Sequence, residues 1–381
     1  MSANPDLENR LQAQLDRLDA AGLRRTLQVP SGVDLSSNDY LGLSTHPLLR
    51  EAMAAAVARE GCGSTGSRLL RGERDVFTGL EYRFAQFKGA ERALYFSSGY
   101  LANLAVLATF AEEGDVIFSD AHNHASLIDG ARLSKAQRRI FPHNDTAALA
   151  TMLRNETASG QKFIVTESLF SMDGDFAPLK EYARLANAQG AALIVDDAHA
   201  VGIYGPGGSG LSEDAWVSVS TAGKALGVCG AFVSGPETAI EILIQRARSF
   251  IFSTAAPPPV AAALQASLAV MAGEPWRRKQ VLARSAYLRR RLAEAGIRAP
   301  AGISQIIPLV IGDNQSAVEV ALALQHRGFD ARAIRPPSVP QGTARLRLSL
   351  NANLSERTLD RFVEALTAAL KEHAACYAAS S

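Results

Sequence analysis

Between residues 90 and 235, short runs rich in β-branched and aromatic residues alternate with stretches whose apolar positions recur at helical spacing. The runs are ALYFSSG, DVIFSD, KFIVTESLFS, AALIVDDAH, WVSVSTAGK and CGAFVSG. That alternation predicts an α/β protein with a mostly parallel central sheet flanked by helices. In such sheets ligands bind beyond the carboxyl ends of the strands, so the polar residues that follow each run are the ones to inspect. Leu7, Leu11, Leu15 and Leu18 follow Pro5 and Asp6 at helical spacing and predict an amphipathic first helix that packs on the body or on a second subunit. Its polar face mixes signs, which argues against a membrane-surface helix.

After Pro275 the charged helical stretch WRRKQVLARSAYLRRRLAEAG leads to the strand-like SQIIPLVIG and ARLRLSL, which predicts a smaller α+β C-terminal domain. LSERTLDRFVEALTAAL opens with a capping-box pattern from Ser355 to Thr358 that is imperfect in its last member, and ACYAASS reads as a frayed tail. The expected division is an N-terminal helix and extended segment over 1–45, a large domain over 46–280 and a small domain over 281–381.

Composition narrows the function. The 381 residues exceed the usual size of one core, and 47% of them are hydrophobic, enough to bury a substantial interior. A net charge of +1 without long blocks of like charge leaves nothing to grip a polyanion, so no nucleic-acid partner is expected. Cys62, Cys229 and Cys376 are scattered and odd in number, neither a disulfide framework nor a metal pair, and a reducing cytoplasm fits them. Acids stand where a signal peptide needs bases, and no stretch stays apolar for about 18 residues, so no membrane span is expected.

The chemistry gathers at strand ends. Asp196 and His199 follow the apolar run of LIVDDAHAVG, where burying a carboxylate is costly without a cationic partner. Taken alone, that pair reads equally well as a capping Asp and a satisfied core histidine. Lys224 stands after the next run, preceded by Thr221 and flanked by Gly223 and Gly227. Glycines there would allow close approach of backbone to a ligand, and an amine at a strand end can form a Schiff base with an aldehyde cofactor.

SSGYLANLAVLATF adds a strand, a small-residue turn and a helix, which offers Ser98, Gly99 and Tyr100 as a phosphate cradle. Pyridoxal 5'-phosphate requires such a set: an amine, a cradle, and a carboxylate that keeps the ring nitrogen protonated so that the ring can store electrons. The glycine-rich YGPGGSG lacks the Lys-Ser/Thr of a nucleotide loop and reads as a plain loop. His122, His124 and His143 have no spacing that surrounds one ion, so no metal site is expected.

Through SSNDYLGL, GCGSTGSRLLRG, SSGYLAN, NHASLIDGARLS, FPHND, ESLFSMDGDFAPL, VDDAHAVG, STAGKALGVCGAF, FIFSTAAPPP and RPPSVPQGTARLRLSL, the chain resembles the α-oxoamine synthases, fold type I pyridoxal phosphate transferases. Within them it is most similar to the branch that serves biotin biosynthesis. The resemblance implies that Lys224 carries the cofactor, Asp196 faces the pyridine nitrogen, His199 and Ser171 hydrogen-bond the ring hydroxyl, and His124 stacks on the ring. Thr221 with Gly99 and Tyr100 would hold the phosphate, and Ser253 or Thr254 would reach it from the other subunit of a homodimer with shared active sites. Asn38 and Arg347 would bind the amino acid, Arg347 through its carboxylate. Arg345 lies on the same face of the strand, so the choice between the two arginines rests on the family.

The implied reaction is the decarboxylative condensation of L-alanine with a pimeloyl thioester of CoA or acyl carrier protein, with freed Lys224 as the base. The rivals are a related synthase using glycine or serine with another acyl-CoA, and a catalytically silent binding module of the same fold. Ser67 stands where glycine-using relatives commonly carry Thr and would leave room for alanine's methyl group. Arg24 or Arg25 would meet the distal carboxylate of the acyl chain. Two departures stand out: the segment between Arg25 and DLSSNDYLGL is short, which would reshape the acyl pocket, and Gly208-Ser209-Gly210 replaces a frequent Gly-Arg-Gly.

Overall fold

The computed structural model describes residues 4–380, and of 374–380 the backbone alone. The expectation of a frayed tail at ACYAASS therefore lies outside the described side chains. In chain order the first elements are α1 (Pro5–Ala20), β1 (Val33–Asp34), α2 (Pro47–Glu60), α3 (Asp75–Lys88), β2 (Arg92–Phe96), α4 (Gly99–Phe110), β3 (Val116–Asp120), α5 (Ala125–Leu133) and β4 (Gln137–Phe141). There follow α6 (Thr146–Asn155), β5 (Lys162–Glu167), α7 (Leu179–Gln189), β6 (Ala191–Asp196), β7 (Val217–Thr221), β8 (Ala231–Gly235), α8 (Glu237–Arg246), α9 (Arg248–Ile251) and α10 (Pro258–Gly273). The last are α11 (Trp276–Glu294), β9 (Ile306–Gly312), α12 (Asn314–His326), β10 (Phe329–Asp330), β11 (Ala333–Ile334), β12 (Ala344–Ser349) and α13 (Glu356–Ser380).

Two compact units result. The larger holds residues 38–171 and 175–281, and the other holds 1–37, 172–174 and 282–381, so the N-terminal segment up to Ser37 counts with the C-terminal part.

The larger unit is built on a seven-stranded sheet in the order β2-β8-β7-β6-β5-β3-β4. Strand β8 is antiparallel to both of its neighbours, and the other pairings are parallel. Successive residues feed opposite faces. Ile117, Val165 and Ile194 join one buried cluster with α4 and α8, whereas Val116, Phe118, Ile164, Leu193 and Val195 join another with α6 and α7. Helices therefore cover both faces, and the strand ends are left for chemistry. The expected runs became β2, β3, β5, β6, β7 and β8; β4 was not foreseen, because QRRIF at the sheet edge is mostly exposed and polar and carries no buried-strand signature.

In the smaller unit, β11-β12-β9 form an antiparallel sheet, and β1 pairs parallel with β10. Helix α1 begins at the Asn4 cap, whose side chain accepts from Leu7 N at 3.1 Å, and its leucine stripe is 37–43% exposed. The capping reading at α13 holds, since Ser355 Oγ accepts from Thr358 N at 3.0 Å. No helix among the described residues is long and apolar enough to cross a membrane.

Candidate active site

At the carboxyl ends of β2, β3, β5, β6 and β7, the larger unit brings most of the expected residues together. Ser98 caps α4 by accepting from Leu101 N at 3.2 Å, which leaves the helix start at Gly99 and Tyr100 beside Thr221. A Cβ on Gly99 would come within 2.4 Å of Thr221 Cγ2, so only glycine lets the helix start and the end of β7 meet. Tyr100 closes the rim by donating its hydroxyl to Asp129.

Asp196, the last residue of β6, is 6% exposed. Its carboxylate accepts from Asn103 Nδ2 at 2.6 Å and from Ala198 N at 3.0 Å. Asn103 also donates to Ser126 Oγ at 2.9 Å, and Ser126 Oγ lies 2.8 Å from His124 Nδ1. A single chain of polar groups thus runs from the carboxylate to the cap of α5, where His124 sits. Partial burial, together with the charge of Lys224, holds the His124 imidazole below its ordinary pKa against the pull of Asp196.

Lys224 Nζ donates to Thr221 Oγ1 at 3.2 Å. His199 Nδ1 lies 2.6 Å from the hydroxyl of Tyr40, which in turn donates to Asn38 Oδ1 at 3.0 Å. Ser171 is buried within the loop between β5 and α7. Ser253 and Thr254 line a small cavity with Ser97 and Arg68.

The two glycines near Lys224 have different surroundings. Gly223 meets no neighbour that would exclude a Cβ, whereas Gly227 has φ +71° and a Cβ there would stand 2.6 Å from Ser44 N. Gly227 therefore serves a close backbone crossing with residues 43–44 rather than approach to a ligand. Ser67 precedes the turn Arg68–Gly72, its carbonyl accepting from Gly72 N at 2.9 Å, while Arg68 beside it is held bidentately by Glu81.

In the smaller unit Arg345 and Arg347 are both 6% exposed on β12. The Arg345 guanidinium is taken up by Asp173 Oδ1 at 2.7 Å and Met172 O at 3.1 Å. Arg24 follows α1, half-exposed, and pairs with Asp19 at 2.7 Å.

The three histidines weighed as metal ligands have separate tasks. His143 bridges Asp120 and Asp175 at 2.8 Å each, and its ring stacks on His122 with centroids 4.0 Å apart. Burial opposes its charge, but the two carboxylates outweigh burial and raise its pKa from 6.5 to about 10. The charged form favours the fold, so the contribution is full below pH 6.5 and is lost as pH rises through about 10. Urea midpoints measured from pH 6 to 10.5 are expected to fall more steeply for the native chain than for His143→Gln. Equal slopes would remove this role.

Residues that the sequence reading missed are Asn103, Ser126, Tyr40 and Glu167. Asn103 left one usable trace, as a polar residue inside the otherwise apolar helix LANLAVLATF. Glu167 closes the run KFIVTE and so carries the same strand-end signal as Asp196, whereas Ser126 and Tyr40 carry no local signal.

A helix start beside a threonine, a strand-end amine and a deeply buried carboxylate define a site for a phosphorylated aldehyde cofactor. The family comparison agrees: the chain matches the model of aminotransferase class I and II over residues 30–366, and it belongs to that family. At the level of the particular enzyme, it is 45% identical to the 8-amino-7-oxononanoate synthase of Anaeromyxobacter dehalogenans over 380 residues, covering 94% of this chain and 95% of that protein.

Among solved structures, serine palmitoyltransferase from S. paucimobilis with bound PLP superposes with a TM-score of 0.90 at 28% identity, covering 96% of this chain and 98% of that one. The 8-amino-7-oxononanoate synthase of Francisella tularensis gives 0.77 at 29% identity, covering 90% and 98%. Both are fold type I enzymes, the architecture that the family resemblance implied.

Proposed function

We propose that this chain is a pyridoxal 5'-phosphate-dependent acyltransferase that condenses L-alanine with a pimeloyl thioester, releasing carbon dioxide and the thiol carrier and forming 8-amino-7-oxononanoate for biotin biosynthesis. The observation that carries the reading is the buried Asp196 carboxylate, hydrogen-bonded by Asn103 and grouped with Lys224 and His124 at the strand ends. The residues fit the cofactor: Asp196 matches a pyridinium N–H, His124 offers a ring for stacking, and the α4 start with Thr221 matches a phosphate. When bound, the cofactor supplies an electron sink that stabilises negative charge at the amino acid's α-carbon.

The protein's own groups do the rest. Lys224, whose amine lies within reach of Thr221 Oγ1, would anchor the cofactor and serve as the base for the α-proton. Asp196 holds one proton on the ring nitrogen, and Asn103 fixes the rotamer of Asp196. His199, oriented by Tyr40, and Ser171 are assigned to the ring hydroxyl, with Ser98, Gly99, Tyr100 and Thr221 at the phosphate and Ser253 or Thr254 contributed by a second copy in a homodimer. Asn38 and Arg347 are assigned to the amino acid and Arg24 to the acyl carboxylate. A cytoplasmic setting belongs to the same proposal, supported by the similarity to bacterial biosynthetic enzymes.

The higher structural score to a serine palmitoyltransferase favours a second reading, with serine as the amino acid. Identity of 45% to an alanine-branch relative weighs against it, because side chains, not backbone course, select the substrate. The deciding experiment supplies loaded enzyme with pimeloyl-CoA and equimolar L-alanine, glycine and L-serine, and identifies products by mass spectrometry. Predominance of 8-amino-7-oxononanoate supports the proposal, and a ketone from serine or glycine overturns the choice of amino acid. Ser67→Thr is expected to lower the preference for alanine over glycine by about 10–200-fold, the worth of one methyl group in a pocket, measured as the ratio of kcat/KM values.

A further inference from the structure

We propose that Glu167 and Asp196 form a buried carboxyl pair sharing one proton, and that Glu167, by holding that proton, keeps Asp196 ionised toward the cofactor, which makes Glu167 a positioning residue. The second half rests on the reading of Asp196 given above; the pair itself does not. Glu167 ends β5 and Asp196 ends β6, and the two face each other in register in a parallel ladder. Partners in such a ladder project their side chains to the same face, so the two carboxyls stand side by side. They are 3% and 6% exposed. Two neighbouring carboxyls without water to screen them do not both ionise.

Burial and one unpartnered oxygen, more than the number of donors, decide which one keeps the proton. Asp196 accepts from Asn103 Nδ2 and Ala198 N, donors that favour its charged form. Glu167 Oε1 is buried without a hydrogen-bond partner. The groups facing Glu167 are Asp196 on β6, Lys224 after β7, and the backbone N–H groups of His124 after β3 and of Ser171 after β5. Burial first, and the Asp196 charge second, raise the Glu167 pKa to about 8, with Lys224 and the two N–H groups opposing them.

The proton therefore stays on Glu167 at neutral pH, and no second anion stands beside Asp196. Above about pH 8 Glu167 ionises and adds that anion. Because the folded-state pKa lies above the unfolded value, the contribution of Glu167 to stability is full below pH 4.5 and is lost as pH rises through about 8.

The test compares the native chain with Glu167→Gln, which keeps the shape of the neutral acid. The first measurement is the urea midpoint of cofactor-free protein from pH 5 to 9: the native chain is expected to lose stability relative to the variant across this range, and parallel curves overturn the pair. The second is the visible absorption of the loaded proteins against pH. A titration step near pH 8 is expected in the native enzyme and not in the variant, accompanied by a shift of about one pK unit in the main transition, a tenfold change in its proton equilibrium. A divergence in stability with identical absorption titrations overturns the positioning role. Borohydride trapping tests the cofactor reading separately: no label on Lys224 sinks that reading, while the cofactor-free stability curves still decide the pair.

Discussion

Replacing Lys224 with alanine is expected to lower turnover by at least roughly a thousandfold in protein supplied with excess cofactor. Loss of a positioned general base alone costs about 10²–10⁴-fold, and the same substitution also removes the amine proposed to anchor the cofactor. Lys224 Nζ lies at the end of β7 within 3.2 Å of Thr221 Oγ1, in the electrostatic neighbourhood of His124 and Glu167. No other side chain has been assigned both tasks, so little activity should survive. The measurement is kcat with alanine and pimeloyl-CoA, accompanied by borohydride reduction and peptide mapping of the native enzyme. Normal turnover in the variant, or a pyridoxyl label on a different lysine, would remove Lys224 from its role.

Lys88→Met should produce the largest loss of stability, about 3–5 kcal/mol, the usual cost of leaving one member of a buried ion pair without its partner. The Lys88 side chain is 5% exposed and that of Asp197 is fully buried, with 2.8 Å between Nζ and Oδ2. Lys88 also donates to Ser209 O at 2.6 Å and Ser212 Oγ at 2.9 Å, so it ties α3 to the loop that wraps the end of β6. Burial works against the Asp197 charge, but Lys88, Ser168 and Leu211 N together hold its carboxyl below the ordinary range. Without Lys88 the carboxylate would be stranded one residue from Asp196.

Trp216 and Trp276, the two tryptophans of the chain, both lie in the larger unit, so fluorescence in urea reads this unit directly. A midpoint shift worth less than about 1 kcal/mol would mean that the pair behaves like an exposed one. Lys88→Met combined with Asp197→Leu should recover part of the loss, because removing both charges leaves neither stranded.

The ion pair and the active site illustrate different kinds of legibility. Lys224, Asp196, His199 and the Ser98–Tyr100 turn stand out as candidates because each follows an apolar run, and a strand's end is a local property of the chain. Their hydrogen-bond partners do not. Tyr40 and His199 are 159 positions apart, Lys88 and Asp197 are 109 apart, and Asn103 and Asp196 are 93 apart. Arg345 and Asp173, which pair in the structure, are 172 positions apart.

The sequence by itself determined the alternating strands and helices, the class of fold, and the residue types that a pyridoxal phosphate site needs. Periodicity and turn chemistry act over a few residues and are written in consecutive letters. Only the tertiary structure decided that β5 and β6 lie side by side, which sets Glu167 against Asp196, and that Gly227 must pass Ser44. Sheet order and close packing join segments distant in sequence, and no local pattern encodes which carboxyl will face which.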